Sequence, residues 1–367
     1  MVLYERAHLI DSLTDLLDDA AAGRGHLALV HGEIGIGKSA LAREFSDVAS
    51  RRATVLWGAC DPLSSPRPLG PLADIAPHLD PRIGELLGSG EREGLFEATL
   101  ASLKDRGPAV LVVEDIHWAD ASTLDLIRYV ARRVDGVCLL VMATYRDDQL
   151  ANTDPLRVML GDLASMSTVR RMPVPPLSLD AVTALAASTP LDPGALLRET
   201  GGNPFFVTEV ISSGGDHLPA TVQDAVLARV NRVSPQARSA LEAAAVIGSR
   251  VEPSVILAMP GVSADAVDEC VSVGMLRFNA PAYGFRHELV RQAVLAGIAP
   301  GRLGALHWQA LDRLRAQQIL PPPLARLAEH AEHAGDGLAV LEFATAAGDS
   351  AVGLMSHREA AFQYGRA

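Results

Sequence analysis

The stretch "HLALVHGEIGIGKSALAREF", residues 26–45, decides how the rest of the chain is read. "HLALVH" is a short apolar run, suited to a buried strand. Gly32, Gly37, Lys38 and Ser39 fill the pattern G-x-x-x-x-G-K-[ST] completely, with Glu33, Ile34, Gly35 and Ile36 between the fixed positions. "KSALAREFSDVASRR" reads as a helix that opens inside the pattern. Strand, glycine loop and helix are the context in which this motif binds phosphate. The glycines let the backbone curl so that successive N–H groups point inward at phosphate oxygens. The helix start adds the positive end of its dipole. Lys38 brings a mobile charge, and the Ser39 hydroxyl suits one position of a Mg²⁺ shell that is otherwise water and phosphate. Residues Gly32 to Ser39, with Ala40 in the first helical turn, form the candidate phosphate cradle.

Outward from this loop, apolar strands alternate with helices. Leu9, Ile10, Leu13, Leu16 and Leu17 recur at helical spacing within residues 5–22, and Gly23 and Gly25 end that helix. "ATVLWGAC", "PAVLVVED", "VCLLVMATYRDD" and a shorter "TVRRMPVPPLS" read as further strands. "DPLSSPRPLGPLADIAP" is proline-rich and irregular at first. "FEATLASLKDRG" is helical, as is "ASTLDLIRYVARRV", where Ser122 and Asp125 suggest a capping box. Near-continuous apolar strands between helices imply a parallel sheet covered on both faces.

Hydrolysis would require carboxylates beside the cradle, one to hold the magnesium shell and one to orient water. Glu114 and Asp115 end the apolar run "VLVV" and fall at the carboxyl edge of the sheet, where ligands bind in such folds. Glu114 is expected to sit toward magnesium and Asp115 toward the attacking water, the plainer alternative being acidic residues that merely end a strand in solvent. His117 follows as a loop residue or a catalytic one, and Trp118 as a packing anchor. After the next strand, Thr144 and Arg146 in "MATYRDD" occupy the same edge. A guanidinium there fits a γ-phosphate, the alternative being an ion pair with Asp147 or Asp148.

The remainder is built differently. Leu179 to Ser212 is helical and strand-free. From Pro219 to about Ile298, three helices precede a hairpin in "MLRFNAPAYGFRH", with turn residues Asn279 to Gly284. Helices followed by a hairpin suggest a winged-helix unit. After Pro300 the pattern is helical, and "LAVLEFATAAGDSAVGLMSHREAAFQYGRA" has the small-residue and aromatic rhythm of one helix-turn-helix repeat. The chain stops inside that rhythm, as expected for the front part of a longer protein. The divisions are 1–175, an α/β P-loop core; 176–217, a helical lid; 218–300, a winged helix; and 301–367, the start of tetratricopeptide-like repeats.

Bulk properties exclude several classes. With 367 residues, several domains are expected. The net charge of −12 disfavours non-specific nucleic-acid binding. The segment 218–300 also lacks an Arg/Lys-rich recognition helix. Neither a membrane span nor a secretion signal occurs. Cys60, Cys138 and Cys270 have no metal-ligand spacing, which fits a reducing cytoplasm. Lys38 is one of only two lysines, the other being Lys104. No acceptor site or second catalytic constellation of a kinase-like enzyme is visible.

Together, "GEIGIGKSAL", "CDPLSSPRPLGPLADIA", "VVEDIHWADASTLDLI", "ATYRDD" and "ETGGNPFFVTEV" resemble the STAND-class, AAA-like P-loop ATPases of bacteria. More narrowly, they resemble the N-terminal ATPase half of large LuxR-family transcriptional regulators and of relatives fused to adenylate cyclase domains. The resemblance covers roughly residues 1–300. It implies an ATPase core, a lid, a winged helix and then repeats that sense an inducer or protein partner. It also implies an ATP/ADP switch that hydrolyses slowly and self-associates on binding ATP. Arg146 matches the family's sensor position, and Pro204 in "GGNPFF" the lid proline that packs on the base. By its own context, Pro204 equally suits the first turn of a helix after Gly201 and Gly202. His287 in "YGFRHELVRQAV" matches a histidine that reaches the β-phosphate of ADP across a domain boundary; capping the hairpin is the plainer alternative. Glu114 stands where the family often has aspartate. Arg6 remains from the family's Gly-Arg-Glu start, with Glu5 in place of the glycine.

Overall fold

The computed structural model describes residues 3–63, 66–89, 92–147, 150, 154–212, 230, 233–285, 288–317 and 323–367. His287, Asp148 and the expected lid boundary near residue 217 lie outside the described residues. The chain divides into two compact units. One is Met1–Pro175 together with Thr345–Ala367, and the other is Pro176–Ala344.

The first unit is organised by five parallel strands: β1 (His26–His31), β2 (Thr54–Ala59), β3 (Ala109–Glu114), β4 (Leu139–Tyr145) and β5 (Val169–Pro173), in spatial order β2-β3-β4-β1-β5. β3 and β4 are buried along their whole length, as expected of a sheet covered on both faces. β5 is an edge strand and differs accordingly. Its exposed Arg170 and Arg171 and its terminal Pro173 discourage pairing with another chain.

Helices α1 (Ala7–Ala21) and α2 (Lys38–Ala49) bury a stripe of Leu9, Leu13, Leu16, Leu17, Leu41 and Phe45 against one sheet face. Helices α3 (Gly70–Ile75), α4 (Pro81–Ser89), α5 (Arg92–Lys104), α6 (Ala121–Ala131) and α7 (Pro155–Asp162) fill the core on the other. α4 and α7 are additions to the elements expected from the sequence. α7 carries a clear start signal, because Asp154 accepts from Leu156 N–H and Pro155 takes the first helical position. The expected Ser122–Asp125 capping box does not form. Asp120 caps α6 instead, accepting from the N–H groups of Ser122 and Thr123, while Asp125 pairs with Arg92 and Arg128.

The left-handed backbone of Glu5, φ 58°, is a conformation glycine adopts without strain. Arg6 beside it is buried and donates to Pro175 O at 2.6 Å, tying the start of the unit to the end of its sheet segment.

The second unit begins with α8 (Leu179–Ala186), α9 (Pro193–Thr200) and α10 (Pro204–Ser212). Gly202 sits between α9 and α10 at φ 72°, where an added Cβ would come 2.4 Å from Leu177 O. A close backbone crossing thus requires glycine there. Then follow α11 (Pro235–Ile247), α12 (Pro253–Ile256), α13 (Ala264–Ser272), the antiparallel pair β6 (Leu276–Asn279) and β7 (Ala282–Phe285), and α14 (Glu288–Gly297). The hairpin turn is tighter than expected. Asn279 pairs with Ala282, so only Ala280 and Pro281 turn, and Gly284 lies within β7.

Helices α15 (Pro300–Ala316) and α16 (Leu324–Ala334) bury His307 and His330, with Nδ1 atoms 3.0 Å apart. α17 (Gly337–Gly353) and α18 (His357–Arg366) fold back on each other where Gly348 meets the Tyr364 ring. Among the described residues no helix is long and apolar enough to cross a membrane.

Burial, and then the neighbouring His333, holds His307 down at about 4. Burial also pushes His330 well below its usual value. Since the folded values lie below the unfolded value of about 6.5, the unfolded chain takes up protons first. This contribution is complete above pH 6.5 and is lost as pH falls from about 6.5 towards 4. For His307 the shift corresponds to roughly 3 kcal/mol. Urea midpoints of wild type should therefore drop between pH 7.5 and pH 5, and His307→Gln should show a smaller drop. An equal drop in both would remove this histidine from the acid response.

Candidate active site

The strand order brings the carboxyl ends of β1, β4 and β3 side by side. Val30 is level with Thr144, and Val113 with Ala143. The loop after β1, Glu114 and Asp115 after β3, and Arg146 after β4 therefore open on one edge of the sheet.

The loop itself has three glycines with positive φ: Gly32 at 151°, Gly35 at 79° and Gly37 at 102°. Ile36 is buried among the side chains of α1, α2 and β5, which pins the loop to the core while its backbone curls. Lys38 is buried, and its ammonium donates to Gly32 O at 2.6 Å and Glu33 O at 2.8 Å. The loop's own carbonyls thus keep the charge at the cradle. Ser39 follows in the first turn of α2, the end that favours anions.

Glu114 is 9% exposed. Its Oε2 accepts from Trp57 Nε1 at 3.2 Å and lies 3.9 Å from an Arg43 nitrogen. Oε1 is buried and has no hydrogen-bond partner among the described residues. Arg43 stands four residues after Ser39 on α2, one turn along the same helix face. Its approach to Glu114 places that carboxylate on the Ser39 side of the helix.

Asp115 holds a left-handed conformation, φ 57° and ψ 46°. Its N–H donates to Thr144 Oγ1 at 2.9 Å, and Thr144 is fully buried. A non-glycine residue in this region is strained unless its surroundings fix it, and such residues concentrate at functional positions. The tie from β4 is what fixes this one.

His117 packs against Trp118, with ring centres 5.1 Å apart, and its Nδ1 is 3.8 Å from Asp115 Oδ1. Burial first, then the charges of Arg146 and Lys38, lower its pKa to about 3. The ring is therefore neutral near pH 7 and a poor proton acceptor there. The Trp118 ring, in contact with both His117 and Arg146, brings the end of β4 and the "IHW" turn together. Arg146 is buried, with its guanidinium carbon 6.0 Å from the centre of the Trp118 ring. Asp147 accepts from His31 Nδ1 at 2.7 Å, so the ion-pair alternative with Arg146 is not the arrangement at that carboxylate.

Pro204 belongs to the second unit, where it opens α10 and Asn203 Oδ1 accepts from Phe205 N–H. That is the interhelical-turn role open to it from sequence.

Arg43, Trp57 and Asp120 were given no role by the sequence. Asp120 is almost fully buried and joins three segments of the first unit. It accepts from Leu69 N at 3.0 Å, from the start of α6, and from Ser356 Oγ at 2.7 Å. Ser122 Oγ meanwhile donates to Leu354 O at 2.6 Å. Burial raises the pKa of Asp120.

Among the described residues no group of three or more His, Cys, Asp or Glu could hold a metal by itself. Mg²⁺ fits this setting nonetheless, because it takes one or two protein oxygens and fills the rest with water and phosphate. Ser39 and the unpartnered oxygen of Glu114 are suitable members of such a shell.

Residues 2–142 match the family model described as the AAA ATPase domain. The chain thus carries an AAA-type ATPase module on a P-loop NTPase fold. It is 26% identical over 402 residues to a Rhizobium meliloti (strain 1021) protein described as uncharacterized, covering 91% of this chain and 39% of that one. The chain therefore spans well under half of that curated relative. Among solved structures it resembles a signal transduction ATPase with numerous domains (STAND) from Pyrococcus horikoshii, which has a tetratricopeptide repeat sensor. The TM-score is 0.63 at 13% identity, over 96% of this chain and 53% of that one. At that identity the likeness is one of fold.

Replacing Thr144 by Val removes the acceptor of the partly buried Asp115 N–H, at a cost of about 1–3 kcal/mol. Urea denaturation should show that loss for Thr144→Val and less than half of it for Thr144→Ser. Equal losses would assign the effect to side-chain packing.

Proposed function

We propose that this chain is an ATP/ADP-binding switch with slow hydrolysis, the regulatory ATPase module of a LuxR-type transcriptional regulator. The observation that carries the reading is the convergence of Lys38, Glu114, Asp115 and Arg146 at the ends of three adjacent parallel strands. Residues Gly32 to Ala40 bind the phosphates through backbone N–H groups, and Lys38 neutralises the β- and γ-phosphates. Ser39 and Glu114 hold Mg²⁺, which when bound neutralises charge on the phosphates. Asp115 orients the attacking water, and Arg146 reads the γ-phosphate. Neutral His117 supplies no competing charge.

In this reading Pro204 packs on the base, and His287 reaches the β-phosphate of ADP from a winged-helix domain. The order of α11 to α14 around the β6–β7 hairpin supports that assignment of the second unit. The C-terminal helices begin a repeat region that takes up an inducer or protein partner, with self-association in the ATP state. The chain itself acts in the cytoplasm without binding nucleic acid. Its output lies in another domain, a DNA-binding one on this reading or a cyclase or kinase on the alternative.

Denaturing freshly purified protein and identifying the released nucleotide by ion-exchange chromatography tests the switch. About one ADP per chain is expected, against less than a tenth as much from Lys38→Ala. An empty wild-type site with rapid turnover of added ATP would replace the switch by a working ATPase. ATP affinity unchanged in Lys38→Ala, by calorimetry, would overturn the cradle itself.

A further inference from the structure

Glu114 differs from an ordinary buried carboxylate in how its two oxygens are used. One is claimed twice, by the Trp57 indole N–H at 3.2 Å and by the Arg43 guanidinium at 3.9 Å. The other is buried without a hydrogen-bond partner among the described residues. An ionised carboxylate oxygen kept from water and left unpaired is costly. Such a cost is offset when a ligand supplies the missing donor.

The two claims come from different elements. Trp57 lies on β2, the strand beside β3, and is level with Val112, two residues before Glu114. Arg43 projects from α2 one turn after Ser39. A carboxylate side chain has free rotation about its Cβ–Cγ and Cγ–Cδ bonds, and glutamate has one rotor more than aspartate. A glutamate serving this position needs more restraint than an aspartate would.

We propose that Trp57 and Arg43 are positioning residues that orient Glu114 so that its unpartnered oxygen faces the magnesium shell. The metal requirement of the nucleotide complex is then set from β2 and α2, outside the phosphate loop. This rests on the nucleotide-site reading above and adds to it two residues that lie outside the phosphate loop.

Trp57→Phe keeps the ring and removes the donor, and Arg43→Gln removes the charge. ADP binding is measured by calorimetry with EDTA and then at increasing Mg²⁺. For both variants we expect affinity in EDTA within about twofold of wild type, and a Mg²⁺ concentration for half-maximal enhancement raised about fivefold or more. In addition, Trp118→Phe/Trp308→Phe protein leaves Trp57 as the sole indole. Its emission should change when Mg²⁺ is added to the ADP-loaded protein and stay constant when ADP is added in EDTA.

If wild type fails to bind ADP even with Mg²⁺, the nucleotide-site reading fails and this proposal with it. If ADP binds normally but the Mg²⁺ requirement of Trp57→Phe equals wild type, the positioning role alone is overturned. Equal loss of ADP affinity with and without Mg²⁺ would overturn it too, since that marks a general packing defect. Should Trp57→Phe fold poorly, an unresponsive Trp57 emission in the sole-indole protein would overturn the assignment independently.

Discussion

The pairing of β1 with β4, residue for residue from His26–Leu140 to His31–Tyr145, is the constraint on which the site depends. Side chains alternate along a strand, so a slip of one residue would turn every side chain of β1 to the opposite face. The apolar faces prevent it: Leu27 and Leu29 belong to one core, Ala28 and Val30 to the other. With that register, the loop after β1 emerges beside Thr144. Thr144 in turn holds Asp115 by its N–H. Two contacts between neighbouring strands, β1 with β4 and β4 with the end of β3, thereby align groups far apart in sequence.

Charge at the site is arranged by burial as much as by sequence. Two cations, Lys38 and Arg146, act on one imidazole that burial already disfavours protonating. A third positive charge there would repel the other two at short range, in surroundings that screen poorly. The acidic side is ordered by specific donors: Trp57 and Arg43 for Glu114, and Thr144 for the backbone of Asp115.

The parallel sheet and the curled glycine loop between β1 and α2 were legible because each is local. An apolar run, a glycine pattern and a helix start are neighbours in sequence. Other helix starts announce themselves in the same way: Asp154-Pro155, Asp192-Pro193 and Ser234-Pro235 each pair a capping side chain with a proline at the first helical position. The Ser122–Asp125 reading failed because several residues at one helix start could serve as cap. Asp120 took the position, and Asp125 found arginines instead. Trp57 and Arg43 were hidden for a different reason. Their link to Glu114 runs through strand adjacency, which no spacing in the chain records. One partial signal existed, since Arg43 shares a helix face with Ser39. The hairpin turn was misplaced because Gly284 looks like a turn residue. It instead sits opposite Arg277 in the ladder, with Ser249 O 3.2 Å from where its Cβ would be.

The hydrogen bond from Ser356 to Asp120 spans 236 residues of chain. Residues 176–344 are therefore an insertion, in topological terms, within a unit whose two halves flank them. A ribosome releases the strands and the cradle first, but the last partner of the Asp120 carboxylate emerges only with the end of this segment. Until then the carboxylate has water in place of Ser356, and Leu354 is missing from its core. Completion of the sheet-containing unit is thereby tied to synthesis of everything between. Contacts of such sequence separation form slowly, because loop closure must precede their gain. Of these two units, the one with the earliest residues is thus completed only after the whole of the other has been synthesised.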